Sequence, residues 1–426
     1  MHHTHLSLSV LTVSLLSWIA CGSTPTERAP AAAEKAEAAA APDPTAIRPF
    51  KIDVPDAVLV DLKDRLARTR LPDEIDGAGW DYGTPLGYLK ELITYWRETF
   101  DWRKQERMLN AFDQYKTRIG DLDIHFIHQR SPEKNAIPLL ITHGWPGSVA
   151  EFTKIIGPLT NPVAHGGRAE DAFHVVAPSM PGYGFSDKPR ERGFGPPRVA
   201  DVNAQLMARL GYEQYGLQGG DWGAIVSRWH AFRHPSPVIG LHLNMVVAAA
   251  PAGSKPEEGL TAADLARTRE RQGFFGAEET AYSQIQGTKP QSLGYGLNDS
   301  PAGQAAWIVE KFRSWCDCKG NPETILTKDE LLTNITLYWV TQTATSSARM
   351  YYENRHAPPS QPMGRVEVPT GAAIFPSEIV IPPRRWAEAA YNLVHWTEMP
   401  RGGHFAAMEQ PELLVADIRK FFATRR

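Results

Sequence analysis

The five residues Gly219-Gly220-Asp221-Trp222-Gly223 stand between a short apolar run, Tyr215 to Gln218, and a helical stretch from Trp222 to His234. A strand that passes into a helix through so few residues needs a tight turn, and the flanking glycines permit close backbone approach and any positive φ there. The same alternation recurs along the chain. Asp123 to His128 alternates in polarity as a strand does, and Ile137 to Thr142 is a short apolar run followed by a helical stretch from Val149. Phe173 to Ala177 is a further strand, and Val199 to Leu210 a further helix. Gly371 to Phe375 and Leu393 to Thr397 are strands again, before an amphipathic helix from Leu413 to Phe422. Short apolar strands alternating with helices imply an α/β fold with a mostly parallel sheet covered on both faces.

Two stretches stand outside this alternation. Near the start, Val58, Leu59, Leu62 and Leu66 recur at helical spacing, with Pro55 suited to a first helical turn. A second helix is expected from Thr84-Pro85 and a third from Trp102 to Phe112. This N-terminal helical arm carries no obvious chemistry. From Pro251 to Met363 the strand signal is lost, and Gly, Pro and aromatic residues surround helical pieces. That segment reads as a helical lid over the carboxyl edge of the sheet. The expected order is an arm over 47–133, a first part of the core over 134–250, the lid over 251–363, and a second part of the core over 364–426.

The chain has 426 residues, 42% hydrophobic and 22% charged, enough for one large core. A formal net charge of −3 without a basic cluster argues against a nucleic-acid partner. Leu6 to Ala20 is an apolar run too short for a bilayer span, and Cys21-Gly22 follows it. Residues 1–21 resemble a bacterial lipoprotein export signal, with Cys21 lipidated and attached to the membrane, although no Lys or Arg precedes the apolar run. An uncleaved anchor helix is the alternative. Residues 22–46 are dominated by Ala, Pro, Glu and Thr, the composition of a flexible linker, so folded protein is expected from about Ile47. These features imply an exported protein of the periplasm or outer membrane. Cys316 and Cys318, two apart, have awkward spacing for a pair on one helix or strand, and no C-x-x-C occurs. Ordinary thiols and no structural zinc are expected.

Asp221 occupies the place of the serine in the G-x-S-x-G turn of α/β-hydrolases. Glu378, in Phe375-Pro-Ser-Glu378, follows the penultimate strand, and His404, in Arg401-Gly-Gly-His404, lies in a Gly-rich loop before the last helix. Taken singly, Asp221 reads as a helix cap, His404 as a loop histidine and Glu378 as a surface acid. Together they fall in the order nucleophile, acid, histidine. A carboxylate needs no base to activate it and suits displacement at an sp³ carbon. The product is an ester of Asp221, which His404 can hydrolyse by activating water while Glu378 orients the imidazole. Ester hydrolysis calls for an oxyanion hole, for which the backbone N–H groups of Trp222 and of Trp145, in His143-Gly-Trp-Pro-Gly-Ser148, are the candidates.

Epoxides and haloalkanes both react at sp³ carbon. An opening epoxide releases an alkoxide that wants a proton, and tyrosine can donate one. The lid offers Tyr282, Tyr295, Tyr338, Tyr351 and Tyr352. A haloalkane dehalogenase would share the aspartate without needing them, and a non-catalytic ligand-binding protein would need none of the three triad residues.

From Ile47 to Phe422 the chain resembles the epoxide hydrolases of the microsomal and juvenile-hormone type. The resemblance rests on "DVPDAVLVDLKDRLARTRLPDE", "HGWPGS", "PSMPGYGFSDKP", "QGGDWG", "YSQIQGTKPQSLGYGLNDSPAGQAAWIVEKF" and "RGGHFAAMEQPELLVADIRKF". It implies Asp221 as nucleophile, His404 as base, Glu378 as acid, and Tyr282 and Tyr351 as proton donors, with Tyr351 preferred to Tyr352. It implies an arm that wraps the core and packs on the lid. The implied substrate is a small hydrophobic epoxide, held among His143, Gly144, Trp145, Trp222, Tyr282 and Tyr351, with water as co-substrate and no metal or organic cofactor. Members of the microsomal type carry an N-terminal membrane-anchor helix, a feature that residues 1–46 do not match.

Overall fold

In the computed structural model, residues 43, 45–277, 279–357 and 363–425 are described. The expected export signal, Cys21 and most of the expected linker lie outside these residues. The described chain is tied to the sheet slightly before Ile47, where the Thr117 hydroxyl donates to the Thr45 carbonyl at 2.8 Å.

Among the described residues, nine strands form one sheet: β1 (Arg48–Pro49), β2 (Gln114–Ile119), β3 (Leu122–Gln129), β4 (Ile137–Thr142), β5 (Phe173–Pro178), β6 (Tyr215–Gly219), β7 (Val238–Leu243), β8 (Val366–Ile374) and β9 (Tyr391–Glu398). Their spatial order is β1-β2-β3-β5-β4-β6-β7-β8-β9. The first pairings, through β3 with β5, are antiparallel, and those from β5 to β9 are parallel. The sequence pattern did not single out β2 or β7. β2 mixes charged residues with apolar ones, and β7 is a short run between Pro237 and Asn244 that carries His242. The sheet also runs without a break across residue 133, so strands from the arm segment extend the core sheet.

Among the described residues, fifteen α-helices accompany the strands. The arm holds α1 (Asp56–Ala67), α2 (Leu86–Glu98) and α3 (Trp102–Leu109). On α2 the buried residues Leu89, Leu92, Ile93 and Trp96 make one stripe. The core holds α4 (Thr153–Thr160), α5 (Pro196–Arg209) and α6 (Asp221–Arg233). The regular elements of the described lid are helices, α7 (Ala262–Ala277), α8 (Ala281–Gln286), α9 (Pro290–Asp299), α10 (Pro301–Trp315), α11 (Lys328–Thr341) and α12 (Ala344–Arg355), joined by turns and bends. Several of its starts are written in sequence. Ser300 caps α10 by accepting from Gly303 N–H at 3.0 Å, and Thr327 and Glu330 form a reciprocal capping box on α11. The core closes with α13 (Arg384–Ala390), α14 (Ala406–Glu409) and α15 (Pro411–Phe422).

Helix α15 lies close on the sheet because glycines make room for it. A Cβ on Gly216 of β6 would sit 2.5 Å from Phe422, and one on Gly371 of β8 would sit 2.5 Å from Phe421. Phe421 and Phe422 are buried there, each worth roughly 2–3 kcal/mol of transfer free energy. On the other side of the molecule the arm packs on the lid. Thr84 donates to the Ala306 carbonyl at 2.8 Å, and Tyr95 donates to Asp329 at 2.9 Å.

The cysteine expectation is corrected. Cys316 and Cys318 are joined by a disulfide. They lie just past the end of α10, in a bend rather than on a helix or strand. Their Cα atoms are 5.2 Å apart, within bonding range.

Candidate active site

Strand β6 is buried along its whole length and delivers the chain to the sheet's carboxyl edge. There Asp221 turns the backbone with φ 48°, the left-handed region. Positive φ was expected at a flanking glycine; it falls instead on the aspartate, at a cost on the order of 1–2 kcal/mol. The glycines serve close approach. A Cβ on Gly223 would meet the Thr142 carbonyl oxygen at 1.8 Å, and one on Gly144 would meet Asp221 Oδ1 at 2.1 Å. Both positions therefore let the β4 loop and the elbow touch.

The two oxygens of Asp221 have different partners. Oδ1 accepts from the Trp145 backbone N–H at 2.8 Å. Oδ2 lies 3.3 Å from His404 Nε2. Trp222 follows in the first turn of α6, so its N–H stands at that helix's N-terminus. His404 Nδ1 lies 2.6 Å from Glu378 Oε1, which also accepts from the Ile379 N–H at 2.7 Å. The imidazole thus carries its Nδ1 proton toward Glu378 and turns Nε2 to Asp221. Burial opposes charge on His404, but the Glu378 and Asp221 carboxylates overcome it and hold the imidazole well above its ordinary pKa.

Each loop is fixed from behind. The His143-to-Ser148 loop is gripped by the lid: Asn334 donates to the Pro146 carbonyl and Tyr338 to the Gly147 carbonyl, both at 2.7 Å. The His404 loop is held by Glu409, whose carboxylate accepts from the N–H groups of Gly403, Phe405 and Asp317 at 2.8–2.9 Å. His404 N–H in turn donates to the Trp315 carbonyl at 3.0 Å. Sequence reasoning passed over Asn334, Trp315 and Glu409. Only the spacing of Glu409, five residues after His404 at the end of the short helix α14, offered a signal.

His143 was placed among the substrate contacts, but its ring serves the scaffold. Nε2 accepts from the Met180 N–H at 3.3 Å, and Nδ1 faces the Gly144 carbonyl at 3.0 Å. Burial lowers its pKa to about 4, so it is neutral. Gly144 lies directly against the Asp221 carboxylate, as its missing Cβ shows.

Two lid tyrosines pack on Trp145 and Trp222, the residues whose backbone flanks the carboxylate. The hydroxyls of Tyr282, on α8, and Tyr351, on α12, are 3.4 Å apart. The Trp145 ring stacks on Tyr282 at 5.0 Å, and Tyr351 meets the edges of Trp145 and Trp222. Burial raises both tyrosine pKa values, and the Asp221 charge raises them further. The remaining lid tyrosines lie elsewhere. Tyr295 is 71% exposed, Tyr338 is bonded to Gly147, and Tyr352 stacks on His356. Sequence reasoning also missed Lys311, buried 5.0 Å from the Tyr282 ring centroid and paired with Glu279 at 3.0 Å.

The fold and this site define an α/β-hydrolase with a carboxylate at its elbow. Residues 47–152 match the family described as the epoxide hydrolase N terminus, and residues 137–376 match the α/β-hydrolase fold family. Epoxide hydrolase 1 of Sus scrofa is 43% identical over 412 residues, covering 90% of each chain. The crystal structure of juvenile hormone epoxide hydrolase from the silkworm Bombyx mori superposes with a TM-score of 0.81 at 33% identity, covering 90% of this chain and 95% of that one. The Aspergillus niger epoxide hydrolase structure gives 0.81 at 33% identity, covering 89% and 97%. The chain belongs to the epoxide hydrolase family.

Proposed function

We propose that this chain converts small hydrophobic epoxides to vicinal diols through a covalent ester on Asp221. The observation that carries the reading is the divided carboxylate: Oδ1 on the Trp145 N–H, Oδ2 beside His404 Nε2. Oδ1 is already held by an amide, so Oδ2 is the attacking atom. It bonds to an epoxide carbon, and the breaking C–O bond's electron pair goes to the epoxide oxygen. Tyr282 or Tyr351 gives that oxygen a proton and becomes a tyrosinate. The paired hydroxyls favour an oxygen leaving group over a halide, which leaves without a proton.

In the second step water attacks Cγ of Asp221. His404 Nε2 takes one proton, and Glu378 stabilises the resulting imidazolium. The carbonyl electron pair moves onto Oδ1, where the Trp145 N–H waits, joined by the Trp222 N–H at the head of α6. Collapse expels the diol oxygen, which takes the proton back from His404. The other water proton remains on the Asp221 carboxyl and returns to the tyrosinate. Epoxide and water are consumed and the enzyme is restored.

The test is His404→Gln incubated with styrene oxide. The reading predicts a mass increase of one substrate on the intact chain, located on the Asp221 peptide. An unmodified chain, or an adduct on another residue, contradicts it.

Placement forms part of the same proposal. Residues 1–21 export the chain, and Cys21, following an apolar run and Ala20, is its lipidated attachment point. Metabolic labelling with a radioactive fatty acid is expected to mark the chain, and Cys21→Ser to abolish the label. Equal labelling of both contradicts this placement.

A further inference from the structure

Beside the nucleophile lies a small cavity of about 20 Å³, bordered by Thr142, Glu151, Gln218, Asp221, Asn244 and His404. A polar space above roughly 10–15 Å³ holds one water. Neither tyrosine borders it among the described residues, so it is not the face from which an epoxide meets the hydroxyls. Its walls offer polar atoms in need of partners. Thr142 Oγ1 and Gln218 Oε1 are buried without a hydrogen-bond partner among the described residues. Gln218 Nε2, by contrast, already donates to Asn244 Oδ1 at 2.7 Å.

Glu151 is the acid of this cavity, and the reaction outlined above gives it no role. It sits on the short turn Val149–Phe152 that follows the His143-to-Ser148 loop. Its carboxyl fills the space over Gly147: a Cβ there would lie 1.5 Å from Glu151 Oε1. Burial raises its pKa to about 8. The Asp221 charge raises it too, while His404 and the amides of Gly144 and Ser148 pull it down. Glu151 thus shares this cavity with both Asp221 and His404, and no Lys or Arg pairs with it among the described residues.

We propose that Glu151 holds the water that His404 activates against the Asp221 ester. This rests on the reading of Asp221 as nucleophile and His404 as base. The water oxygen bonds to Cγ, one hydrogen passes to His404 Nε2, and the carbonyl pair moves to Oδ1. A Glu151 carboxyl oxygen accepts the water's other hydrogen and so aims the attacking lone pair. That hydrogen stays with the water oxygen.

The experiment follows adduct formation and adduct breakdown separately, by rapid mixing with styrene oxide and quenched intact mass. Glu151→Ala is expected to form the Asp221 adduct within about threefold of the wild-type rate and to break it down ~100-fold more slowly. Glu151→Gln, which can still bond a water, is expected to recover about tenfold of that loss. Gly147→Ala displaces the carboxyl without removing it, and the same selective slowing is expected. It also serves as the second probe if the Glu151 variants do not fold. Breakdown within threefold of wild type in these variants overturns the proposal, as does equal slowing of both steps. His404→Gln run alongside separates the two levels. An Asp221 adduct there, with wild-type behaviour at Glu151, sinks this inference alone; no Asp221 adduct there sinks the reading beneath it.

Discussion

The core and the lid each supply half of the site, and they do so by different physics. The core half is charged and fixed by strand ends. Asp221, Glu378 and His404 each follow a strand of the parallel sheet, and each is held by backbone amides or a charged neighbour at 2.6–3.3 Å. The lid half is neutral and fixed by packing. Tyr282 and Tyr351 are set by ring contacts with Trp145 and Trp222. On the proposed reading, the covalent chemistry, which needs charges whose positions do not drift, falls to the sheet. On the same reading, proton donation to a departing oxygen, which needs a dry hydroxyl, falls to the lid helices.

The sharpest break in this comparison is at the nucleophile. Asp221→Ala is expected to lower turnover by at least ~10⁴, with no adduct at any time, measured by diol formation. His404→Gln is next: turnover falls by ~10³ while adduct accumulates. Both changes lie in the core half, yet they stop different steps. Loss on the lid side is smaller and graded. Tyr282→Phe or Tyr351→Phe is expected to slow adduct formation about tenfold, and the pair together ~10²–10³-fold, with adduct breakdown unchanged. If the double variant slows breakdown instead, the division of labour between the halves is wrong.

The pH dependence sharpens the same contrast. In the resting enzyme two carboxylates raise the His404 pKa. In the proposed mechanism ester formation removes the Asp221 charge, so the imidazole's pKa is expected to fall in the adduct and make it a competent base. Breakdown must therefore rise with pH through that lowered value and then level off. Formation should hold until well above pH 9, because burial keeps both hydroxyls protonated beyond their ordinary pKa near ~10. Rapid-quench rates from pH 5 to 10 check both limbs. The smallest effect belongs to the Cys316–Cys318 disulfide, which closes a very short loop. Cys316→Ser with Cys318→Ser is expected to cost about 1–2 kcal/mol in urea unfolding, with both chemical steps altered less than threefold.

The two halves also differ in how far they could be read from sequence. The elbow announces itself because a strand, a glycine-flanked turn and a helix are local, so Asp221 was placed by its neighbours in the chain. Glu378 and His404 were reached by their order after successive strands. The tyrosines left no local mark. Five candidates stood in the lid, and which two face the carboxylate depends on how α8 and α12 pack, a long-range matter. Tyr351 was preferred to its neighbour Tyr352 through the family resemblance; in the structure Tyr351 is buried against both tryptophans while Tyr352 stacks on His356. The disulfide and the positive φ at Asp221 were misread for the same reason. Spacing and residue type describe regular elements well, and both features sit where the chain leaves one. Strands β2 and β7 escaped because a mixed-polarity edge region and a short buried run give weak periodic signals.

The central claim is that the oxygen delivered to the substrate comes from Asp221, not directly from water. A single turnover in H₂¹⁸O, with enzyme in excess over styrene oxide, tests it directly. The account predicts an unlabelled diol and one ¹⁸O on the Asp221 peptide. A diol carrying ¹⁸O from that first turnover, with the peptide unlabelled, would contradict it.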